Sequence, residues 1–325
     1  MKPYNLNCKI CEKEFGSLES LHKHVKKHNL ILAQYYTTYY PRKNKLTGEI
    51  LPFKNVDSYF EKDFTNRSQM NKWLEIAGEE KAKQYIESVI IRRVYEKERK
   101  FLPFHFEIQN CFLPSIDLIK KYFGSYSFLS QQIGIPLLFN KAIPNDFFKQ
   151  QLPHNVEIIV DTREQKPLPF SFKTKKQKLY FADYCIGGEY YDYTYVDRKS
   201  GQDFTGTMLG DNYDRFRREI QRAKEMDSYI FVVVESTIPK IIAYNKKFKR
   251  KATIDFILKR ARDLMYEFPK NCQFIFTGSR ANSSVLIPKI LYHGKKLWNV
   301  DLQYFIDYEL GNRQSKKTEK LSANK

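Results

Sequence analysis

Residues 193–203 read Tyr193-Thr194-Tyr195-Val196-Asp197-Arg198-Lys199-Ser200-Gly201-Gln202-Asp203. Tyr193 to Val196 is built of aromatic and β-branched residues, which suit a strand. Residues two apart in a strand share one side of its pleat. Asp197 and Lys199 are therefore expected to emerge together, with Arg198 pointing the other way. Upstream, Val156-Glu157-Ile158-Ile159-Val160 reads as a buried strand running into Asp161-Thr162-Arg163-Glu164-Gln165. Between the two lies Leu179, followed by Asp183-Tyr184. An isolated Asp-x-Lys is usually a surface ion pair. The flanking acids give this one a second meaning.

Two carboxylates and a lysine are the equipment for metal-dependent hydrolysis of a phosphodiester. Carboxylate oxygens hold magnesium and leave water sites open. The metal lowers the pKa of a bound water and stabilises charge on the phosphate. The lysine adds a fixed positive charge beside the reacting groups.

The ordered set Asp161-Thr162-Arg163-Glu164, Asp183-Tyr184 and Asp197-Arg198-Lys199-Ser200-x-x-Asp203 resembles the nuclease domain of the XPF family of structure-specific endonucleases. That family shows Asp-x-Arg-Glu, then Gly-Asp-Tyr, then Glu-Arg-Lys-x-x-x-Asp. The resemblance spans about residues 156–280. Ala182 stands where the family has glycine, and Asp197 where it has glutamate. The shorter acid would bring a metal closer to the backbone. The resemblance implies an α/β, restriction-endonuclease-like fold and magnesium- or manganese-dependent cutting of flap, fork or junction DNA. It also implies a place in DNA repair and recombination. By it, Asp183 and Asp197 are metal ligands, with the Arg198 carbonyl as a third. Lys199 acts on water or phosphate. Asp161, Glu164 and Asp203 stand behind the ligands or serve as auxiliary ones. Arg163 and Arg198 bind phosphate or brace the carboxylates, since a guanidinium suits either partner. Asp203 could equally pair with a neighbouring cation. The family often dimerises and carries helix–hairpin–helix modules after the nuclease. Too little chain follows residue 293 for those modules, which leaves a homodimer open.

The surrounding residues suit an α/β core. Tyr213–Met226 carries Phe216, Ile220 and Ala223 at helical spacing, with Arg215, Arg217, Arg218, Arg222 and Lys224 on its other side. Residues 229–235 form a continuous apolar run, as in a strand covered on both faces. Thr253 or Asp255 can cap a helix bearing Ile257, Leu258, Ala261, Leu264 and Met265. Cys272 to Thr277 is another strand, and Ser284 to His293 the closing helix. Alternating strands and helices predict a central mixed sheet flanked by helices. The basic helix faces, Arg217 and Arg218 among them, are either DNA contacts or solvated surface. Lys240 to Lys251 reads as a mobile basic loop, with Lys247, Lys249 and Arg250 as candidate phosphate contacts.

At the other end, Cys8-x-x-Cys11 and His24-x-x-x-His28 have the spacing of a two-cysteine, two-histidine zinc finger. Phe15 and Leu21 stand at its core positions. Two thiolates and two imidazoles suit tetrahedral zinc. So small a unit draws its folding energy from the metal, so it is expected to unfold alone when a ligand is lost. With the helix counted from Leu18, the base-reading positions are Ser17, Ser20 and Lys23. Lys23, Lys26 and Lys27 suit phosphates. Docking onto a protein is the alternative. His22 is expected to be a solvated surface residue.

The organisation expected is a finger over 1–30, a linker and helical region over 31–102, a small helical DNA-binding-like repeat over 103–150, a nuclease domain over 154–312 and a disordered basic tail over 313–325. Tyr35-Tyr36-Thr37-Thr38-Tyr39-Tyr40 reads as linker whose aromatics pack on a neighbour or stack on bases. Residues 70–77 and 80–97 read as helices split by Gly78. Residues 113–136, with Gly124 at the centre, resemble weakly the small helical repeats beside homing endonuclease domains. The chain has 325 residues and a net charge of +19, which favours a nucleic-acid partner. No apolar span or amphipathic anchor argues for a membrane. Cys111, Cys185 and Cys272 look like reduced thiols. An intracellular compartment follows: cytoplasm or nucleoid, or host cytoplasm for a viral chain. A DNA-binding or recruitment protein with a degenerate nuclease domain is the alternative function, and an RNA nuclease a third.

Overall fold

The computed structural model describes residues 6–247 and 253–309. The chain divides into two compact units. One holds residues 1–93 and 111–133, the other 94–110 and 134–325.

The first unit begins with the bridge Asn7↔Glu14, which pairs the two sides of a short hairpin. Helix α1 (Leu18–Val25) follows, with Ser17 as its N-cap. Next come α2 (Leu32–Tyr39), α3 (Val56–Glu61), α4 (Arg67–Ile76) and α5 (Glu79–Glu96). Helix α6 (His105–Asn110) belongs to the second unit. Helices α7 (Ile116–Phe123) and α8 (Tyr126–Ile133) complete the first, joined at Gly124, which sits at φ +72°. A left-handed turn residue there costs glycine nothing.

The tyrosine-rich segment is α2 and not a linker. Tyr35 and Tyr36 are fully buried, in one core with Cys8, Leu21, Val25, Leu51, Val56 and Tyr59. The packing option foreseen for these rings is the one adopted. Tyr36 stacks on Phe53 with ring centroids 4.9 Å apart, and the Tyr35 hydroxyl accepts the Lys9 N–H at 2.9 Å. His22 is half-buried, with Nε2 3.0 Å from the Tyr36 hydroxyl, so it ties α1 to α2 instead of facing water. The first thirty residues thus share a core with the next thirty.

The second unit is a six-stranded mixed sheet flanked by helices. Its strands are β1 (Glu157–Val160), β2 (Lys173–Lys176), β3 (Tyr184–Ile186), β4 (Thr194–Lys199), β5 (Tyr229–Val234) and β6 (Cys272–Phe276). They lie in the order β2-β1-β3-β4-β5-β6. β1 runs parallel to β2 and antiparallel to β3; β3 is antiparallel to β4; β4, β5 and β6 are mutually parallel. The fully buried β5 and β6 are the apolar runs of the sequence. β2 has no such signal: Lys-Thr-Lys-Lys is wholly exposed and is held by backbone pairing to β1.

Two cores cover the sheet. One joins Tyr195, Ile230 and Val232 to Phe216, Ile220, Leu258 and Leu264. These come from α10 (Gly210–Glu225) and α12 (Ile254–Glu267), with α9 (Gly201–Thr207) adding Phe204. The other joins Ile158, Val196, Phe231 and Ile275 to Leu286, Ile287 and Ile290 of α13 (Arg280–His293). The side-chain hydroxyls of Thr253 and Ser279 cap α12 and α13. The stretch read as a basic loop is largely α11 (Ile238–Lys247). Buried Ile241 and Asn245 give it an inward face that outweighs its charge. Lys249, Arg250 and the tail at 313–325 lie outside the described residues. No helix among the described residues is long and apolar enough to cross a membrane.

Candidate functional site

β4 pairs with β5 in a register that sets Asp197 beside Val232 and Lys199 beside Val234. Both charged side chains leave the sheet on the same face as Tyr195. Lys199 Nζ lies 2.7 Å from Asp197 Oδ2 and 4.7 Å from the centre of the Phe216 ring. β3 is antiparallel to β4, and the Asp183 N–H donates to the Val196 carbonyl at 3.0 Å, which delivers Asp183 to the same end of the sheet. Asp183 Oδ2 accepts the Arg198 N–H at 2.7 Å.

The electrostatics are those of two acids forced together. Burial and then the Asp197 charge push the Asp183 pKa up to about 8, against the pull of the Arg198 N–H and Lys199. Burial also raises Asp197, opposed by Lys199 and reinforced by Glu219. Burial would depress Lys199, but Asp197 outweighs it and keeps the ammonium charged. Asp197 Oδ2 is buried and makes no well-aligned hydrogen bond. The Lys199 ammonium, 2.7 Å away, is its ion-pair partner.

These features fit a divalent cation. Coupled buried carboxylates are relieved by one. Among the described residues no third histidine, cysteine or acid comes within ligating reach of both Asp183 and Asp197. Two carboxylates with the remaining positions left to carbonyl, water or phosphate is the pattern magnesium accepts.

The other acids of the motifs have different work. Asp161 is buried, and both its oxygens are taken. Oδ1 accepts the Arg163 N–H and Nε at 2.8 and 2.6 Å; Oδ2 accepts Arg163 Nη2 at 3.1 Å and the Leu179 N–H at 2.6 Å. Burial opposes its ionisation, but these donors prevail and hold its pKa below the ordinary value. It fastens the loop after β1 to the segment before Asp183. Arg163 closes that clamp and also donates to the Leu179 carbonyl at 3.1 Å. Asp203 is exposed and forms a capping box with Ser200, accepting its hydroxyl at 2.7 Å while the Ser200 oxygen accepts the Asp203 N–H at 3.1 Å. It therefore starts α9 and, among the described residues, neither joins the carboxylates nor pairs with a cation.

Arg198 leaves β4 on the opposite face. Its Nη2 spans both oxygens of Glu164 at 3.1 Å, and its Nη1 meets Glu235 at 3.1 Å. Arg280 reaches the other oxygen of Glu235 at 3.3 Å. Of the roles considered for Arg198, bracing carboxylates is the one the geometry shows. All three side chains of the Glu164–Arg198–Glu235 set are nearly buried. Arg198→Leu would leave two buried acids short of a partner, and is expected to cost about 3–5 kcal/mol. Urea unfolding checks this. A loss under about 1 kcal/mol would mean that the acids behave as exposed groups.

Two features were not legible in the motifs. Glu219 of α10 accepts the Ala182 N–H at 2.8 Å and anchors the backbone just before Asp183. Its one sequence signal is its place one turn after Phe216, on the face turned to the sheet. Ala182 itself sits at φ +61°, which costs a residue with a Cβ about 1–2 kcal/mol and costs glycine nothing. Ala182→Gly is free of that cost.

In the first unit, Cys8, Cys11, His24 and His28 bring one ligand atom each to within 4.8 Å of the rest. Cys11 Sγ is 3.1 Å from His24 Nε2, Cys8 Sγ 3.6 Å from His28 Nε2, and the two Nε2 atoms 3.0 Å apart. The cluster can hold one metal ion. Lys23 pairs with Glu19 at 2.7 Å, while Lys26 and Lys27 are exposed. Ser17 and Ser20 are engaged with each other at the start of α1. Arg217 Nε donates to Glu267 at 2.9 Å, Arg218 is exposed, and Lys247 ends α11.

No family model and no curated protein matches this chain. Among solved structures, it is similar to XPF from Aeropyrum pernix in complex with DNA, at 18% identity and a TM-score of 0.32. The match covers 42% of this chain and 63% of that one. It is also similar to XPF from Aeropyrum pernix without DNA, at 17% identity and a TM-score of 0.32, over 49% of this chain and 73% of the other.

Proposed function

We propose that the second unit is a restriction-endonuclease-like nuclease that hydrolyses DNA phosphodiester bonds with magnesium or manganese, preferring flap, fork or junction substrates. The observation that carries this reading is the meeting of Asp183, Asp197 and Lys199 at one end of a mixed sheet. Asp183 and Asp197 would hold the ion through their buried carboxylates. When bound, it would acidify a water and neutralise charge on the phosphate. Lys199 keeps its proton against Asp197 and presents a fixed positive charge to the scissile group. Asp161 and Arg163 fix the loop in front of the site, and Glu164, Arg198 and Glu235 brace it from behind. The preference for branched DNA rests on the motif resemblance.

Zinc suits the Cys8, Cys11, His24 and His28 cluster, because two thiolates and two imidazoles make a closed tetrahedral set. Lys26, Lys27 and Arg218 are exposed cations open to phosphates, and the net charge of +19 favours that partner. The free thiols of Cys185 and Cys272, both buried, suit a reducing intracellular compartment.

A second reading has one observation in its favour. Lys199 already neutralises Asp197, which stands in place of a longer acid. The chain would then bind or recruit without cutting. Labelled flap, fork and four-way-junction DNA, with RNA counterparts, incubated with the protein and magnesium or manganese, separates the readings. Cleavage of the DNA is expected. Binding without cleavage in either metal would favour the second reading, and cutting of RNA alone would change the substrate class.

A further inference from the structure

We propose that the free edge of the sheet, β2 with the segment after it, binds a single-stranded nucleic-acid arm and leads it to Asp183 and Asp197. β2 is the outermost strand and carries Lys173, Lys175 and Lys176; Lys178 follows. All four are exposed. Lys173 meets Glu157 at 3.0 Å, whereas Lys175, Lys176 and Lys178 have no ion-pair partner among the described residues.

Lysines also keep sheet edges from pairing with other chains. That task requires charge alone and no particular direction. This edge has a direction. β2 runs parallel to β1, so Lys176 stands in register with Val160, the residue before Asp161. The Gln177 N–H donates to the Val160 carbonyl at 3.0 Å and the Leu179 N–H to Asp161 Oδ2 at 2.6 Å. The chain then passes through Tyr180 and reaches Asp183. The Tyr180 side chain is 76% exposed.

Lys173 and Lys175 share one side of the strand, Lys176 takes the other, and Lys178 follows. The edge therefore carries ammonium groups on both its sides and is succeeded by an exposed ring three residues before Asp183. That combination is matched to one kind of polyanion. Its backbone must be charged, and its bases must be free to stack. A blunt duplex keeps its bases covered and has no free strand to lay along the edge, so it would leave Tyr180 idle. An acidic peptide has no base to stack on the ring either. The inference rests on the reading of this unit as one that acts on nucleic acid.

The test measures binding by fluorescence anisotropy, with the full chain and no added magnesium or manganese. The probes are a single strand, a blunt duplex, and a duplex bearing a single-stranded arm. Joint replacement Lys175→Gln, Lys176→Gln and Lys178→Gln is expected to weaken arm binding tenfold or more at low salt. It should also flatten the dependence of log affinity on log salt by about 2, for three lost single-strand contacts. Blunt-duplex affinity should change less than about threefold, as expected where little phosphate contact is lost. Tyr180→Ala should weaken arm binding by about five- to hundredfold, the range for one stacked base, with the salt dependence unchanged. Tyr180→Phe should restore it. Equal losses on blunt duplex and arm, or no loss on either, overturn the inference, as does failure of Tyr180→Phe to restore binding. Cleavage is scored separately on the parent protein. A protein that cuts while these variants bind normally removes this surface and keeps the nuclease. One that never cuts yet shows the expected losses does the reverse.

Discussion

Asp183→Asn should abolish cleavage while making the metal-free protein more stable at pH 8. The catalytic loss follows from the role of the metal. Its charge stabilisation amounts to several kcal/mol, and each 1.36 kcal/mol is tenfold in rate. A fall of about 10³-fold or more is therefore expected, with DNA binding retained. The gain in stability follows from burial. In the folded chain the Asp183 carboxyl titrates at about 8 instead of 3.8, because it is buried and faces Asp197. The folded state therefore holds that proton more tightly than the unfolded one. The stability this provides is complete below pH 3.8 and is lost as pH rises toward 8. Asparagine has no charge to lose, so the variant should not show this decline. Thermal unfolding at pH 5 and pH 8, with and without magnesium, reads both effects. Magnesium should raise the melting temperature of the parent at pH 8 and leave the variant unmoved. Unchanged turnover in Asp183→Asn would remove the metal-site assignment.

Loss of a finger ligand is expected to reach well past residue 30. Structural zinc contributes about 10–16 kcal/mol of apparent binding energy to folding in isolated fingers. From sequence spacing alone, Cys8→Ser should unfold the finger and nothing else. The shared core extends that expectation. Leu21 and Val25 of α1 pack with Tyr35, Tyr36, Val56 and Tyr59, so a collapsed finger exposes one side of α2 and α3. Cys8→Ser should therefore remove amide protection from α1, α2 and α3 in hydrogen exchange, while β1, β4 and β5 keep theirs. Intact protection of α2 in the variant would show that the tyrosine cluster stands without the metal.

What the sequence revealed depended on how local the cause was. Asp197 and Lys199 were legible because the two-residue period of a strand is a local rule, and the pairing of β4 obeys it. β5 was legible because a strand covered on both faces is apolar throughout, and β6 because only Gln273 interrupts its apolar residues. β2 was not, since its four residues bury no side chain and only the neighbouring β1 makes them a strand. Arg198 had two candidate roles because its partners Glu164 and Glu235 lie far away in the chain. Glu219 was hidden for the same reason. Asp203 is the instructive case. Ser200-x-x-Asp203 is a capping signature that could have been read locally, but the motif resemblance drew the residue into the site. α11 was misread because lysine content was weighed and the spacing of Ile238 and Ile241 was not.

The alternation of β4 also bears on which heritable changes the chain can tolerate. A single-codon deletion within 194–196 would swap inside for outside along the whole strand. Asp197 and Lys199 would turn toward Glu164 and Glu235, and Arg198 would come round to Asp183. The Asp183–Asp197 pair would then be broken, and Glu164 and Glu235 would lose the guanidinium that bridges them. A point replacement in this segment leaves the alternation intact. A change in its length does not.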